Sequence, residues 1–209
     1  MTDPRIEIRI EDALGVCGVR DDTRLLAEAA AGGQPGRALD LGTGSGYVGI
    51  HLAQAGWQVD AVDVSPRALE LARRNAALNG VALHVFASNL FDAVEGAYDL
   101  IAFNPPMRAD ESESSRLLTA TLRRVPPLAN LLMRITQPVL ERKRLDFLAD
   151  IARAARPHLA PRGRLLLVIS PLEETELPKL IAGLALANSQ AVGSIPGLNI
   201  VTFTFAERA

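Results

Sequence analysis

Ala38-Leu39-Asp40-Leu41-Gly42-Thr43-Gly44-Ser45-Gly46 is an apolar strand that runs straight into a glycine-rich turn. A sharp strand-to-helix turn needs positions without a Cβ, both for positive φ and for close approach of a ligand to the backbone. Gly42, Gly44 and Gly46 supply three of them. Counted from Gly42, the pattern departs from the dinucleotide fingerprint G-x-G-x-x-G, because Tyr47 stands where its third glycine would be. Asp40, at the strand's end, adds an acid beside the turn, which suits a cationic ligand and opposes a pyrophosphate. A buried strand ending this way is the opening unit of an α/β sheet whose crevice lies at the carboxyl ends of its strands.

Strand and helix patterns alternate on both sides of this unit. Arg37 to Leu41 reads as the first strand, Tyr47 to Ala55 as a helix and Gln58 to Val62 as a second strand that ends at Asp63. Ser65 caps a helix with Pro66 in its first turn, and this helix stops at Asn79-Gly80. Val81 to Ala87 and Tyr98 to Phe103 follow as strands. Leu145 to Leu159 has helical spacing, and Pro161-Arg162-Gly163 turns into a strand over Arg164 to Ser170. A helix over Glu173 to Ala187 precedes two last strands separated by Ile195-Pro196-Gly197. Asp22-Thr23-Arg24 reads as a capped helix start ahead of the first strand. The expected fold is Rossmann-like, a mostly parallel sheet with helices on both faces.

At 209 residues and 48% hydrophobic content, the chain can bury one full-sized core. One domain over 1–209 is expected, with an N-terminal extension (about 1–34) and an insertion (about 108–144) shaping the substrate side. Met1-Thr2-Asp3-Pro4-Arg5 opens without an apolar signal core and no apolar run is long enough for a bilayer. A soluble cytoplasmic protein, monomer or homodimer, is expected. Cys17 is the only cysteine, which excludes an intrachain disulfide and a cysteine-based zinc site, and no histidine pair has metal-ligand spacing. A net charge of −2 argues against a large nucleic-acid footprint. The insertion runs the other way, with Arg116, Arg123, Arg124, Arg134, Arg142, Lys143 and Arg144, which read as a solvated face or as a site for a carboxylate or phosphate.

Asp63 stands where a carboxylate can hold both hydroxyls of a ribose. Asn89 can accept a hydrogen bond from an adenine amino group, with Leu90 beside it, and Val64 and Phe91 can flank the ring. Asn104-Pro105-Pro106 closes the fourth strand. Asn104 offers a side-chain carbonyl, Pro105 a main-chain carbonyl, and Pro106 restricts the backbone around them. Two rigid acceptors can grip an NH2 group by its hydrogens and aim its lone pair. Together with a turn that suits a sulfonium and an ammonium, this predicts methyl transfer from S-adenosylmethionine to nitrogen. Asp40, Gly42, Thr43, Gly44, Gly46, Asp63, Val64, Asn89, Leu90 and Asn104 are the expected cofactor-binding residues, and Asn104, Pro105 and Pro106 the expected catalytic ones. Arg20, Met107 and Arg108 are expected on the substrate side.

These residues resemble the class I adenosylmethionine-dependent methyltransferases that carry an Asn-Pro-Pro-aromatic motif. Within that group the chain is most similar to the HemK-type glutamine methyltransferases and the small-domain guanine methyltransferases of ribosomal RNA. The resemblance covers about Asp21 to Ser170. It includes Ser65-Pro66-Arg67-Ala68-Leu69-Glu70, Asn75-Ala76-Ala77-Leu78-Asn79-Gly80 and Leu145-Asp146-Phe147. It implies a seven-stranded sheet with one antiparallel strand, and matching roles for Asp40, Asp63, Asn89 and Asn104. Departures bear on the acceptor: Met107 replaces the aromatic residue, no helical release-factor-binding domain precedes the core, and Glu141-Arg142-Lys143-Arg144 replaces a glycine- and aspartate-rich segment. A small molecule or a protein side chain is therefore the expected acceptor, with a guanine of ribosomal or transfer RNA as the alternative. A nicotinamide oxidoreductase or a non-catalytic nucleotide-binding module ranks below both, because of Tyr47 and the Asn-Pro-Pro corner.

Overall fold

The computed structural model describes residues 7–106 and 126–206, with the side chains of all of these except 126–139. Met107, Arg108, Arg116, Arg123, Arg124 and the Arg134 side chain lie outside the described residues.

The elements in chain order are α1 (Asp21–Ala31), β1 (Arg37–Leu41), α2 (Tyr47–Gln54), β2 (Gln58–Asp63), α3 (Pro66–Leu78), β3 (His84–Ala87) and β4 (Tyr98–Phe103). Then come α4 (Pro126–Ala155), β5 (Leu159–Ile169), α5 (Pro171–Leu180), β6 (Leu184–Ala191) and β7 (Asn199–Phe205). The strands form one seven-stranded sheet in the order β3-β2-β1-β4-β5-β7-β6. β1 to β5 pair in parallel, and β7 runs antiparallel to both of its neighbours. The expected single antiparallel strand is β7.

Successive residues of the central strands alternate between two cores, as a sheet covered on both faces requires. Leu39, Leu41, Ile101, Phe103, Leu165 and Leu167 pack with Leu148, Ile151 and Ala152 of α4 and Leu177 of α5. Ala38, Leu100, Ala102, Leu166 and Val168 pack with Leu26, Ala27 and Ala30 of α1 and Val48 and Leu52 of α2. α3 covers Ala61 and Val85 through Leu69 and Ala72. No described helix is long and apolar enough to cross a membrane.

Local signals act as anticipated at α3, where the Ser65 side chain accepts from the Ala68 amide and Pro66 occupies the first turn. Elsewhere the boundaries differ. The helix expected over Glu173 to Ala187 ends at Leu180, and Ala185 to Ala187 belong to β6. Ile181 is already extended at φ −130, Gly183 at φ +79 turns the chain, and pairing with β7 overrides the alanine-rich helix preference of the next residues. Pro161-Arg162-Gly163 is not a turn ahead of β5 but an irregularity inside it, where the register with β4 slips between Tyr98 and Leu100. Any Cβ at Gly163 would lie 2.8 Å from the Tyr98 carbonyl oxygen, so only glycine lets the strand close up again. The helix expected from Leu145 starts at Pro126 and ends at Ala155, with a short 3-10 turn after it. Prolines at its start need no backbone partner there. β3 begins at His84 rather than Val81. α1 takes Arg20, not Asp22, as its first boundary residue, with no side-chain cap.

Candidate active site

The register of the sheet decides which loops share a neighbourhood. Leu41 pairs with Phe103 on one side and with Val62 on the other, and Asp63 pairs with Ala87. The segments that follow β3, β2, β1 and β4 therefore leave one edge of the sheet side by side. They are Ser88–Phe91, Val64–Ser65, Gly42–Gly46 and Asn104–Pro106. The strand order reverses between β1 and β4, the place at which open α/β sheets form their ligand crevice.

The glycine turn is held by its own acids. Asp40 is buried, and its Oδ2 accepts from the Thr43 hydroxyl at 2.6 Å and the Gly49 amide at 3.0 Å. Thr43 also donates its amide to the Val62 carbonyl at 2.9 Å. Gly46, at φ +84, is the residue before α2, and a Cβ there would lie 3.0 Å from the Ala72 Cα. Both the backbone angle and the approach of α3 demand glycine. Burial pushes the Asp40 carboxyl up to about 6, against the Thr43 and Gly49 hydrogen bonds and with a smaller push from Asp63. Its Oδ2 thus braces the turn from within.

Asp63 is placed differently, only partly buried at the end of β2. Its Oδ2 accepts from the Gly44 amide at 3.0 Å and its Oδ1 from the Ser65 amide at 2.9 Å. Asp60, three residues earlier, is taken up by Tyr98, Arg37 and His84 at the far side of the strand's pairing. Val64 is 73% exposed, an apolar side chain left bare next to Asp63. Asn89 is exposed and donates its amide to Asp92 Oδ2 at 3.2 Å, so its carbonyl oxygen stays outside that bond. Leu90 holds φ +52, a strained conformation for a residue with a branched side chain. Phe91 is partly buried, stacks on His158 at 5.2 Å and packs against the core.

At the end of β4, Pro105 is buried and Asn104 half-buried. The Pro106 carbonyl accepts from Arg144 Nη1, while Arg144 Nε donates to Glu173 Oε1 at 2.6 Å. The expectation of a solvated basic face fails at Arg144, whose side chain is 14% exposed and braces the corner against α5. Its Nη2 is buried without a hydrogen-bond partner among the described residues. Arg142, by contrast, pairs with Asp146 at 3.2 Å on the surface. Arg20, expected near a substrate, is ion-paired with the fully buried Asp22. That pairing ties its guanidinium to the start of α1.

Two residues of the site have no counterpart among the sequence-based expectations. Thr23 Oγ1 accepts from Asn104 Nδ2 at 3.3 Å across 81 positions of chain. Asn75 is fully buried; its Oδ1 accepts from the Glu11 amide at 2.8 Å, and its Nδ2 donates to the Ser45 carbonyl at 2.8 Å and the Glu11 carbonyl at 3.2 Å. It ties the N-terminal segment to the glycine turn, and a Cβ on Gly44 would meet Val16 Cγ1 of that segment at 3.9 Å. No local pattern in the sequence announces either contact.

The protein is thus an open, mostly parallel α/β sheet that gathers a glycine turn, an acid ending β2 and a polar corner ending β4 at one edge. Residues 17–127 match the family described as "Methyltransferase small domain". The chain belongs to that family. The release factor glutamine methyltransferase of Cereibacter sphaeroides is 35% identical over 182 residues, covering 85% of this chain and 62% of that protein. The ribosomal RNA small subunit methyltransferase C of Alcanivorax borkumensis is 34% identical over 110 residues, covering 48% of this chain and 34% of that protein. The chain thus spans less than two thirds of the length of these relatives. Among solved structures, a ribosomal protein L11 methylase from Lactobacillus delbrueckii superposes with a TM-score of 0.68 at 20% identity, over 96% of this chain and 86% of that one. A 16S ribosomal RNA guanine-N2 methyltransferase of Thermus thermophilus, in complex with AdoMet and guanosine, superposes with a TM-score of 0.61 at 18% identity, over 93% of this chain and 45% of that one. These likenesses establish the class I methyltransferase fold.

Proposed function

We propose that this chain is an S-adenosylmethionine-dependent methyltransferase acting on a nitrogen of a small molecule or a protein side chain. The supporting observation is the Leu41–Phe103 register, which sets the glycine turn beside the Asn-Pro-Pro corner, with a Cβ on Gly42 only 3.2 Å from the Phe103 ring. One segment can take a donor and the other can take its acceptor across the same crevice.

The residues present fit the cofactor. Asp63 is the ribose anchor, Val64 and Leu90 the apolar flanks, Asn89 the acceptor for an amino group, and Gly42, Thr43, Gly44 and Gly46 the backbone floor. Adenosylmethionine supplies an electrophilic methyl carbon. Asn104 Oδ1 and the Pro105 carbonyl accept the acceptor's N–H bonds, orient its lone pair and favour the positive charge that builds on nitrogen. The Arg144 hydrogen bond to the Pro106 carbonyl braces the corner on its outer side. The N-terminal segment and residues 108–144 are the proposed walls of the acceptor side.

One relative is by name a glutamine methyltransferase, and one structural neighbour was solved with guanosine bound. Both acceptors present an NH2 group, so the same corner suits either. Incubating the protein and methyl-labelled adenosylmethionine with a cell extract, then separating protein, RNA and small-molecule fractions, tests the reading. Label in the protein or small-molecule fraction is expected; label confined to RNA selects the guanine alternative. Calorimetry runs in parallel with adenosylhomocysteine and NAD, and binding of NAD alone overturns the assignment.

Asp40 gives this binding a pH dependence. Its carboxyl is raised from an ordinary value of 3.8 to about 6 by burial, so it is largely protonated at pH 5. A ligand ammonium nearby favours the carboxylate and releases that proton. Affinity for adenosylhomocysteine is therefore expected to be higher well above pH 6 and to fall as the pH drops through it, by at most about tenfold per unit. The sign for stability is opposite. A raised carboxyl stabilises the ligand-free fold below pH 3.8, and that contribution is lost as the pH rises through 6. A calorimetric affinity that stays flat between pH 5 and 7 removes Asp40 from the ligand's surroundings.

A further inference from the structure

We infer that Thr23 is a positioning residue that fixes which end of the Asn104 amide faces the acceptor. The inference rests on the methyl-transfer reading above and deepens it. An asparagine amide has two nearly isosteric faces, a carbonyl that accepts and an NH2 that donates. Only the carbonyl can grip an acceptor's N–H bonds; a flipped amide would set donor against donor. Something must hold the amide in one sense, and Pro105 and Pro106 constrain only the backbone.

The start of α1 provides that constraint. Asp22 is fully buried, and its Oδ1 accepts from the Thr23 amide at 2.7 Å and from the Thr23 hydroxyl at 3.3 Å. Thr23 therefore directs its proton to Asp22 and offers Asn104 a lone pair. Asn104 Nδ2 donates to that oxygen at 3.3 Å, which turns Oδ1 to the opposite side. Asp22 stays ionised in this setting. Burial alone would raise its carboxyl, but the Arg20 ion pair and the Thr23 hydrogen bonds outweigh it and hold the carboxyl below its ordinary range. A charged acceptor at Asp22 makes the polarity of the chain one-way: the hydroxyl cannot reverse and donate to a flipped asparagine without abandoning the carboxylate. Arg20 thus serves the corner at one remove, by keeping Asp22 charged.

The test compares Thr23→Val, which keeps the shape and removes the oxygen, with Thr23→Ser, which restores it. In 15N-labelled protein with adenosylhomocysteine bound, the side-chain amide pair of Asn104 is assigned by its loss in Asn104→Ala. Its two protons are expected to exchange at different rates in the parent and in Thr23→Ser, and at similar, faster rates in Thr23→Val. On the acceptor fraction that takes label from the extract, kcat is expected to fall about tenfold in Thr23→Val and to recover in Thr23→Ser. Adenosylhomocysteine affinity and melting temperature should hold in both variants, separating this effect from unfolding. An Asn104 amide pair unchanged in Thr23→Val overturns the inference, as does an unchanged kcat. If the parent protein labels nothing, the transfer reading is what fails, and the amide exchange still decides whether Thr23 orders Asn104.

Discussion

Asn104→Ala is expected to lower methyl transfer by about 100- to 1000-fold, or about 3–4 kcal/mol of transition-state stabilisation, while adenosylhomocysteine affinity changes by less than about threefold. The size follows from what is lost. Asn104 offers a carbonyl fixed at both ends, by the rigid prolines after it and by Thr23 at its amide. Its removal frees one N–H of the acceptor and with it the aim of the lone pair, and water cannot restore that aim in a crevice. The small binding effect follows from geometry. The glycine turn is organised by Asp40, Asp63 and Asn75, none of which bonds Asn104. Single-turnover transfer and calorimetry on the same preparation read both quantities. Undiminished transfer in the variant would falsify the proposed role of the corner.

Asp63→Ala is expected to weaken adenosylhomocysteine binding by about 100-fold, roughly 3 kcal/mol, since a charged group holding two donors is worth that much. The effect has two parts. The carboxylate is the proposed partner of the ribose hydroxyls, and it also receives the Gly44 and Ser65 amides, which shape the turn from inside. Asp63→Asn separates them. Its amide oxygen can satisfy one of the two backbone donors, but its NH2 then opposes the other. A loss in Asp63→Asn close to that in Asp63→Ala is expected from calorimetry. Unchanged affinity in Asp63→Ala would show that the nucleoside does not reach the end of β2.

Much of the fold is legible in the sequence because it depends on local chemistry. The boundaries of β1, β4 and α3 follow from apolar runs, a capping serine and Pro66, each acting within a few positions. Differences fall where distant pairing outweighs local preference. Leu184–Ala191 has an alanine-rich composition, but its backbone groups pair with β7, so it is a strand. Pro161-Arg162-Gly163 has the composition of a turn, yet Arg162 at φ +66 and Gly163 are absorbed into β5 because β4 continues to pair across them. Arg144 has the look of a surface cation, and only the approach of Glu173 and Pro106 gives it a buried task.

By itself the sequence determined the parts of the crevice: three glycines, an acid at the end of each of the first two strands, and a rigid polar corner. Strand order, register and the fold of the chain ends decided how those parts work together. Leu41 opposite Phe103 brings turn and corner to one edge, and Asp22, Thr23 and Asn104 meet although 81 positions separate the last two. The reason is physical. Residue types and spacings fix backbone angles and hydrogen-bonding capacity within a few residues, whereas which donor meets which acceptor is settled only when the sheet and its covering helices pack.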